Sequence, residues 1–445
     1  MDDTGTLKPL PSTMRAMQLA APAPAAERPL RLVELPVPQP GPGQVLLRVR
    51  ACGVCRTDLH ILEGELPPHR SPVVPGHQVV GEVAALSEGV APSNGAAIAG
   101  TAIDEPSGSR GIAPGGDPGA PPLALGERVG VPWLHRTCGV CRFCRSGREN
   151  LCENALFTGW DVDGGFAEYM VAPADFVYRL PRGMGDLAAA PLLCAGIIGY
   201  RCLRLVGIVG DDAGLPGVSP SFAREGAAGD RGSSACGDAP AEIGAEAEAL
   251  AAERTAAGVA PEGAFAVSPT VESAAPHRLG LYGFGSAASL CIQVAIWRGW
   301  EVYAFTRGAE HRSLALELGA AWAGETSEDP GVLLDAAIIF APAGELAVDA
   351  LRHLDKGGIV ALGGIYSSPI PPIEYPWIYH ERVIRSVANS TRQDARELLR
   401  DAALVPVVSR VQEYDLEQAN EALLDLKEDR VRGSAVLRVS RLTAR

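Results

Sequence analysis

Residues 278–307 read RLGLYGFGSAASLCIQVAIWRGWEVYAFTR, and this stretch decides the fold. Its first part, Leu279–Tyr282, is an apolar run ending in a glycine turn. Residues 286–299 then carry a helical pattern, and residues 301–305 (EVYAF) return to a short apolar run rich in aromatic and β-branched residues. Strand, turn, helix and strand in that order make a parallel βαβ unit, because a parallel pair needs a crossover and a helix supplies it. The alternation continues downstream, with a helix expected over 310–320, a strand over 335–344, a helix over 345–357 and a strand over 357–365. Strands this apolar belong to a sheet covered on both faces.

The turn in that stretch has the pattern Gly283-x-Gly285-x-x-Ala288. Gly283 permits the tight turn, Gly285 lets backbone amides approach a pyrophosphate, and Ala288 is small enough for the helix to pack on the strand. The N-terminus of the following helix favours an anion. Alone the pattern is weak, but between an apolar strand and a helix it indicates a dinucleotide site. The next strand ends at Thr306 and Arg307, where an acid would hydrogen-bond an NAD ribose. No carboxylate stands there. Arg307 can pair with a 2′-phosphate and Thr306 can donate to it, so NADP(H) is the expected cofactor, with NAD(H) as the alternative.

Upstream, residues 16–90 alternate short strand-like runs with Pro/Gly turns, as in VLLRVRA at 45–51, which predicts a β-rich region. Cys138, Cys141, Cys144 and Cys152 follow with the spacing C-x2-C-x2-C-x7-C. Thiolates so spaced close a tetrahedral shell around Zn²⁺. Four thiolates would leave that site doubly negative, and Arg136, Arg142, Arg145 and Arg148 crowd the same lobe. A second set consists of Cys55 in GVCRTDLH, His77 in PGHQVVG and Cys194 in APLLCAGIIGY. Three ligands leave a position for water or substrate, as catalytic zinc requires, and Asp58 is placed to orient the second nitrogen of His77. Cys52, Cys202, Cys236 and Cys291 are left over as structural or incidental thiols.

Two stretches break the pattern. Residues 91–122 are dominated by Gly, Ala, Pro and Ser and read as a flexible surface insertion. Residues 210–276 are rich in Ala, Gly, Glu and Asp, with one short amphipathic helix expected over 240–258. A loop of that length inside a compact domain is an excursion, read as tolerated low-complexity expansion rather than a partner-binding element. The chain has 445 residues, 47% of them hydrophobic, and a formal net charge of −14. That charge argues against binding to nucleic acid or to anionic membranes. The start lacks a basic-then-apolar signal pattern, and the apolar run at 188–200 is shorter than the ~20 residues of a membrane span. The cysteines therefore read as thiols of a cytoplasmic protein rather than as a disulfide framework.

Together these motifs resemble the zinc-dependent alcohol dehydrogenases of the medium-chain dehydrogenase/reductase family. CGVCRTDLH, PGHQVVG, the four-cysteine lobe, DGGFAEY, LLCAGIIGY and YGFG occur in the family's order, and the likeness covers nearly the whole chain outside the two insertions. The resemblance implies an α/β protein with a GroES-like catalytic domain over 1–195, a doubly wound Rossmann domain over 196–389, and a return to the catalytic domain over 390–445. It makes Cys55, His77 and Cys194 the catalytic zinc ligands and the four clustered cysteines the structural ones. Thr57 matches the hydroxyl that touches the substrate oxygen, and His60 the outer end of a proton relay. Arg56 and Arg392 match positions near the cofactor pyrophosphate, and Trp133 and Trp160 positions that line the substrate pocket. Gln78 departs from the family, which has Glu directly after the ligand histidine.

The expected reaction is reversible hydride transfer between a primary alcohol and its aldehyde, in a homodimer or homotetramer. A zinc-dependent reductase of another carbonyl class, and a zinc- or cofactor-binding protein without turnover, are the alternatives.

Overall fold

The computed structural model describes residues 10–87, 90, 121–210, 276–405 and 407–440. The two expected insertions, with the helix over 240–258, lie almost wholly outside them. The described residues up to 210 and from 277 onward belong to one compact unit.

The glycine turn opens a six-stranded, wholly parallel sheet. In spatial order its strands are Trp322–Gly324, Glu301–Phe305, Arg278–Tyr282, Leu334–Ile339, Leu354–Leu362 and Val383–Ser386. The side-chain period of two sorts each strand's residues between two cores. Leu279, Leu281, Val302, Ala304, Ala336 and Ile338 enter one apolar cluster with the helices Ala195–Leu205 and Ser286–Trp297. Tyr282, Tyr303, Phe305, Ala337 and Ile339 enter another, with the helix Glu345–His353. Both faces are therefore covered and the sheet is doubly wound. Strand order reverses between Arg278–Tyr282 and Leu334–Ile339, so the glycine turn sits at the topological switch point where such sheets bind ligands.

One boundary differs from expectation. The helix ends at His353 rather than near 357, and the strand begins at once with Leu354. Leu354 is fully buried and pairs with Leu334 ahead of a register shift, so tertiary burial ends the helix where the local pattern would continue it.

The second large sheet has seven strands. Its centre is Gln44–Val54, which pairs antiparallel with Gln78–Leu86, Ser434–Arg438 and Tyr169–Pro173. Arg128–Val131 and Tyr178–Arg179 extend it on one side, and Val411–Asp415 on the other. The C-terminal strands thus rejoin the sheet begun near the N-terminus. Among the described residues no single helix is long and apolar enough to cross a membrane.

Candidate active site

Strand register creates the first donor group. Gly53 faces Gln78 and Cys52 faces Val79 in the antiparallel pair, so the residues just beyond, Cys55 and His77, are neighbours. Their Cys55 Sγ–His77 Nε2 distance is 3.2 Å. Gly76 precedes His77 at φ +97°, and a Cβ there would lie 2.4 Å from Phe166, so both the turn and the packing require glycine. Cys194 arrives from the other side, at the junction of a 3-10 turn (Ala190–Leu193) with the helix Ala195–Leu205. The ligand atoms of Cys55, His77 and Cys194 all lie within 4.8 Å of one another.

One buried carboxylate organises this group. Cys55 caps the helix Arg56–Glu63, its sulfur accepting from the Thr57 amide while Asp58 Oδ2 accepts from the Cys55 amide at 2.9 Å. Asp58 Oδ1 accepts from the Gly76 amide at 3.2 Å and from His77 Nδ1 at 3.0 Å. Asp58 and His77 are both 0% exposed. With Nδ1 committed to Asp58, Nε2 is left to point at Cys55 as a ligand atom. Burial lowers the pKa of His77, but the charges of Asp58 and Cys55 outweigh it and hold it up at about 10. A hydrogen bond from Cys194 pulls the Cys55 pKa well down against burial, and the same bond together with burial pushes Cys194 well up. Two thiols beside an oriented imidazole form a donor set that a cation completes by displacing protons from sulfur and from His77 Nε2.

The second donor group comprises Cys138, Cys141, Cys144 and Cys152, whose sulfurs also lie within 4.8 Å of one another. Backbone amides support the sulfurs. Cys138 N donates to Cys152 Sγ at 3.4 Å, Cys141 N to Cys138 Sγ at 3.3 Å and Cys144 N to Cys141 Sγ at 3.5 Å. Amide donation from Val140 and Cys141 brings the Cys138 pKa down to about 6, whereas burial and the Cys141 contact push Cys144 up to about 12. None of the described cysteines is in a disulfide.

The glycine turn fits a nucleotide. Gly283 has φ +83°, and a Cβ there would sit 2.9 Å from the Ala341 nitrogen. A Cβ on Gly285 would meet nothing within 4 Å, so space is open before the turn. Gly285 caps the helix Ser286–Trp297 without a side-chain hydrogen bond, which leaves first-turn amides available to an anion. Ala288 is fully buried. Thr306 is buried, with its amide bonded to Gly324 O at 2.8 Å, and Arg307 is exposed. Arg312 braces the turn by donating to the carbonyls of Thr306 and Arg307 at 3.1 and 2.8 Å.

Around the first donor group, Trp133 meets His77 edge-on at 4.8 Å between ring centroids and stacks on Phe157 at 5.1 Å and Trp160 at 5.8 Å. Both tryptophans marked in the sequence therefore stand on one aromatic wall beside the first donor group. His60 is buried, its Nδ1 bonded to Glu65, and its ring lies 5.7 Å from that of Tyr366. Tyr366 follows the strand Leu354–Leu362, so this contact joins the parallel sheet to the helix Arg56–Glu63. Arg56 is exposed at the start of its helix.

Arg392 stands apart from these residues. Glu149 takes its Nη2 at 2.7 Å and its backbone amide at 2.8 Å, and Asp175 takes Nη1 at 3.1 Å. Its guanidinium is engaged by two carboxylates of the protein itself, a pairing that the sequence reading, guided by a nucleotide role, had not foreseen. Gln78 is 2% exposed, its side chain packs against Gly53, and its Oε1 has no hydrogen-bond partner. Sequence reasoning also missed Glu65, Tyr366, Phe157 and Arg312. Glu65, one turn beyond His60 and past Gly64, was within reach of a local reading. Tyr366 and Phe157 depend on contacts between distant segments.

A doubly wound parallel sheet with a nucleotide-type turn, together with a second, largely antiparallel sheet and two thiolate-rich donor groups, defines a class of metal-dependent dehydrogenases. The family model described as "Alcohol dehydrogenase GroES-like domain" matches residues 41–116 and 111–182. The probable alcohol dehydrogenase AdhA of Mycobacterium tuberculosis is 41% identical over 96% of this chain and 97% of its own. Among solved structures, the acetophenone reductase of Geotrichum candidum in complex with NAD aligns with a TM-score of 0.69 at 22% identity, over 97% of this chain and 99% of that one. A cobalt- and zinc-bound thermostable alcohol dehydrogenase from Pyrobaculum aerophilum aligns with a TM-score of 0.67 at 19% identity, over 96% and 100%. These two structures share the fold. The chain belongs to the zinc-type alcohol dehydrogenases of the medium-chain dehydrogenase/reductase family.

Proposed function

We propose that this protein interconverts a primary alcohol and its aldehyde with a nicotinamide cofactor, using zinc at Cys55, His77 and Cys194. The observation that carries this reading is the convergence of those three ligand atoms, with Asp58 behind His77 and the tryptophan wall beside it. Zinc held there would supply a Lewis acid with an open position, and the nicotinamide a hydride acceptor. Cys138, Cys141, Cys144 and Cys152 would hold a second, structural zinc, since a closed four-thiolate shell has no position for substrate.

The chain's own residues do the rest. Asp58 keeps the His77 proton on Nδ1 and so keeps Nε2 a ligand. Thr57 and His60 lie three residues apart on one helix and share a face, which suits a proton handed from the Thr57 hydroxyl side toward His60. His60 Nδ1 faces Glu65, an exposed carboxylate, so Nε2 is the atom that takes up the proton and Glu65 marks the route to solvent. Trp133 and Trp160 exclude water from the reacting carbon and favour substrates with an apolar chain.

Gly283, Gly285 and Ala288 would form the pyrophosphate cradle, and Arg56 would approach the cofactor pyrophosphate. The contacts of Arg392 favour a bracing role over a phosphate role. NADP(H) is the preferred cofactor, because the strand before Thr306 and Arg307 ends without a carboxylate and Arg307 is exposed to meet a 2′-phosphate. The domain division is 1–195, 196–389 and 390–445. A homodimer or homotetramer fits the exposed aromatic side chains Tyr375 and Tyr379, which precede the edge strand Val383–Ser386. Free thiols suit the cytoplasm.

The test is the initial rate of aldehyde reduction with NADPH and with NADH, on protein of measured zinc content. Faster turnover with NADPH is expected, with the preference reduced in Arg307→Ala. Turnover with NADH alone would discard the cofactor preference. No turnover by zinc-replete protein across a broad alcohol and aldehyde panel would overturn the enzymatic reading.

A further inference from the structure

The loop after the first helix is stitched to the turn that carries Trp160. Trp160 Nε1 donates to Pro67 O at 2.9 Å, and Val74 N donates to Asp163 Oδ1 at 2.9 Å. Between these anchors His69 lies over Trp160, with ring centroids 3.9 Å apart and planes inclined by 30°. Trp160 in turn lies 5.8 Å from Trp133, with the planes inclined by 15°, and Trp133 meets His77. His69 is therefore the outer ring of a stack whose inner end touches a zinc ligand.

Asp161 fixes this ring in place. Its Oδ1 lies 2.6 Å from His69 Nδ1, and its Oδ2 accepts from the Phe157 amide at 2.7 Å. Asp161 N and Trp160 N both donate to Phe157 O, at 3.0 and 3.4 Å. One side chain thus joins the outer ring to the backbone of the turn that presents Phe157 and Trp160. His69 has a side-chain exposure of 56%, while Asp161 has 11%. An exposed histidine held by a mostly buried carboxylate against an indole is a fixed element of the wall.

We propose that His69 is a positioning residue for substrate selection. By clamping Trp160 against Trp133 it fixes the depth and width of the aromatic wall beside His77, and so sets the preference between slim and aromatic alcohols. This rests on the reading that Trp133 and Trp160 line the substrate pocket. A wall left free to rotate no longer presents its face to a ring, and a bulky substrate loses a stacking contact that ethanol never makes.

The test compares zinc-loaded wild type with His69→Ala, His69→Phe and Trp160→Ala. Steady-state kcat and KM are measured for ethanol and benzyl alcohol, and acrylamide quenching of tryptophan fluorescence reads the exposure of the wall without turnover. In His69→Ala the benzyl alcohol KM should rise about fivefold to tenfold, with kcat changed by less than about twofold and ethanol unaffected, because contacts made equally in ground and transition states act on KM. Quenching should increase. His69→Phe, which keeps a ring but loses Asp161, should hold the benzyl-to-ethanol ratio of kcat/KM within about twofold of wild type. A shifted ratio in Trp160→Ala with none in His69→Ala would overturn the role of His69 and leave the pocket intact. An equal shift in His69→Ala and His69→Phe would overturn the ring clamp. No shift in Trp160→Ala would overturn the pocket reading and the proposal with it.

Discussion

Asp58 shows how much a single residue can arrange. Its two oxygens accept from Cys55 N, Gly76 N and His77 Nδ1, so one buried carboxylate sets the helix start, the turn and the ligand tautomer. Asp58→Asn keeps the shape but can present an amide N–H to His77, which favours the wrong tautomer. Zinc affinity at the Cys55–His77–Cys194 group should then fall about 10–100-fold, as for other orienting partners of ligand histidines. Competition with a chromophoric chelator measures it. A second residue gives a pH signature. Burial, with Arg136 adding to it, lowers the pKa of His135 to about 4. The unfolded chain therefore binds a proton at His135 below its ordinary pKa of about 6.5 that the folded chain refuses until about pH 4, so stability falls as pH falls through that window. Between pH 7 and 4.5, His135→Gln should lose about 2–3 kcal/mol less stability than wild type, a difference read from urea midpoints at the two pH values. Asp58 was legible in the sequence because it lies on the same short motif as Cys55. His69 was not, because its meaning depends on Trp160, which only the tertiary fold brings over its ring.

At the scale of elements, legibility followed locality. The βαβ unit at 278–307 emerged at nearly its observed bounds because period, glycine turn and apolarity agree within a few residues of one another. The helix end at His353 escaped because Leu354 is claimed by a strand partner, Leu334, twenty residues away. The ion network of the helix Arg392–Leu404 escaped for the same reason. Its N-terminus is capped by Thr391 and Asp394 in a reciprocal pair, a local signal, but Asp394 also takes the buried Arg204 at 2.8 Å from the helix Ala195–Leu205. Arg204 is 3% exposed and also meets Glu397, while Asp394 is 0% exposed. Replacing Arg204 with Met keeps the volume and leaves Asp394 buried with Arg201 at 3.6 Å. Removing one partner of a buried pair costs about 3–5 kcal/mol, so Arg204→Met should lower the denaturant midpoint by that equivalent. Lys at the same position should recover part of it, since charge rather than shape is what Asp394 lacks.

On the scale of the molecule, the three-ligand group joins what the chain keeps far apart. Cys55 directly follows the central strand of the seven-stranded sheet and His77 directly precedes its neighbour, whereas Cys194 caps a helix that packs on the nucleotide-turn helix of the parallel sheet. A cation at this group would therefore link the two sheets, while one at Cys138–Cys152 would link only a local lobe. The two sites should differ in what their loss does. Cys194→Ser should lower zinc content from about two to about one per chain, abolish turnover, and remove the stabilisation that a bound ligand gives the folded state, about 2.7 kcal/mol for zinc at a hundredfold excess over its dissociation constant. Cys144→Ser should also leave about one zinc per chain, but protease nicking should concentrate near 138–152 while the main unfolding transition moves less. Elemental analysis, calorimetry and mapped proteolysis on the same preparations separate the two cases. If Cys144→Ser lowered the main transition as far as Cys194→Ser, the lobe would be part of the same cooperative unit, and the link between the sheets would not belong to the three-ligand group alone.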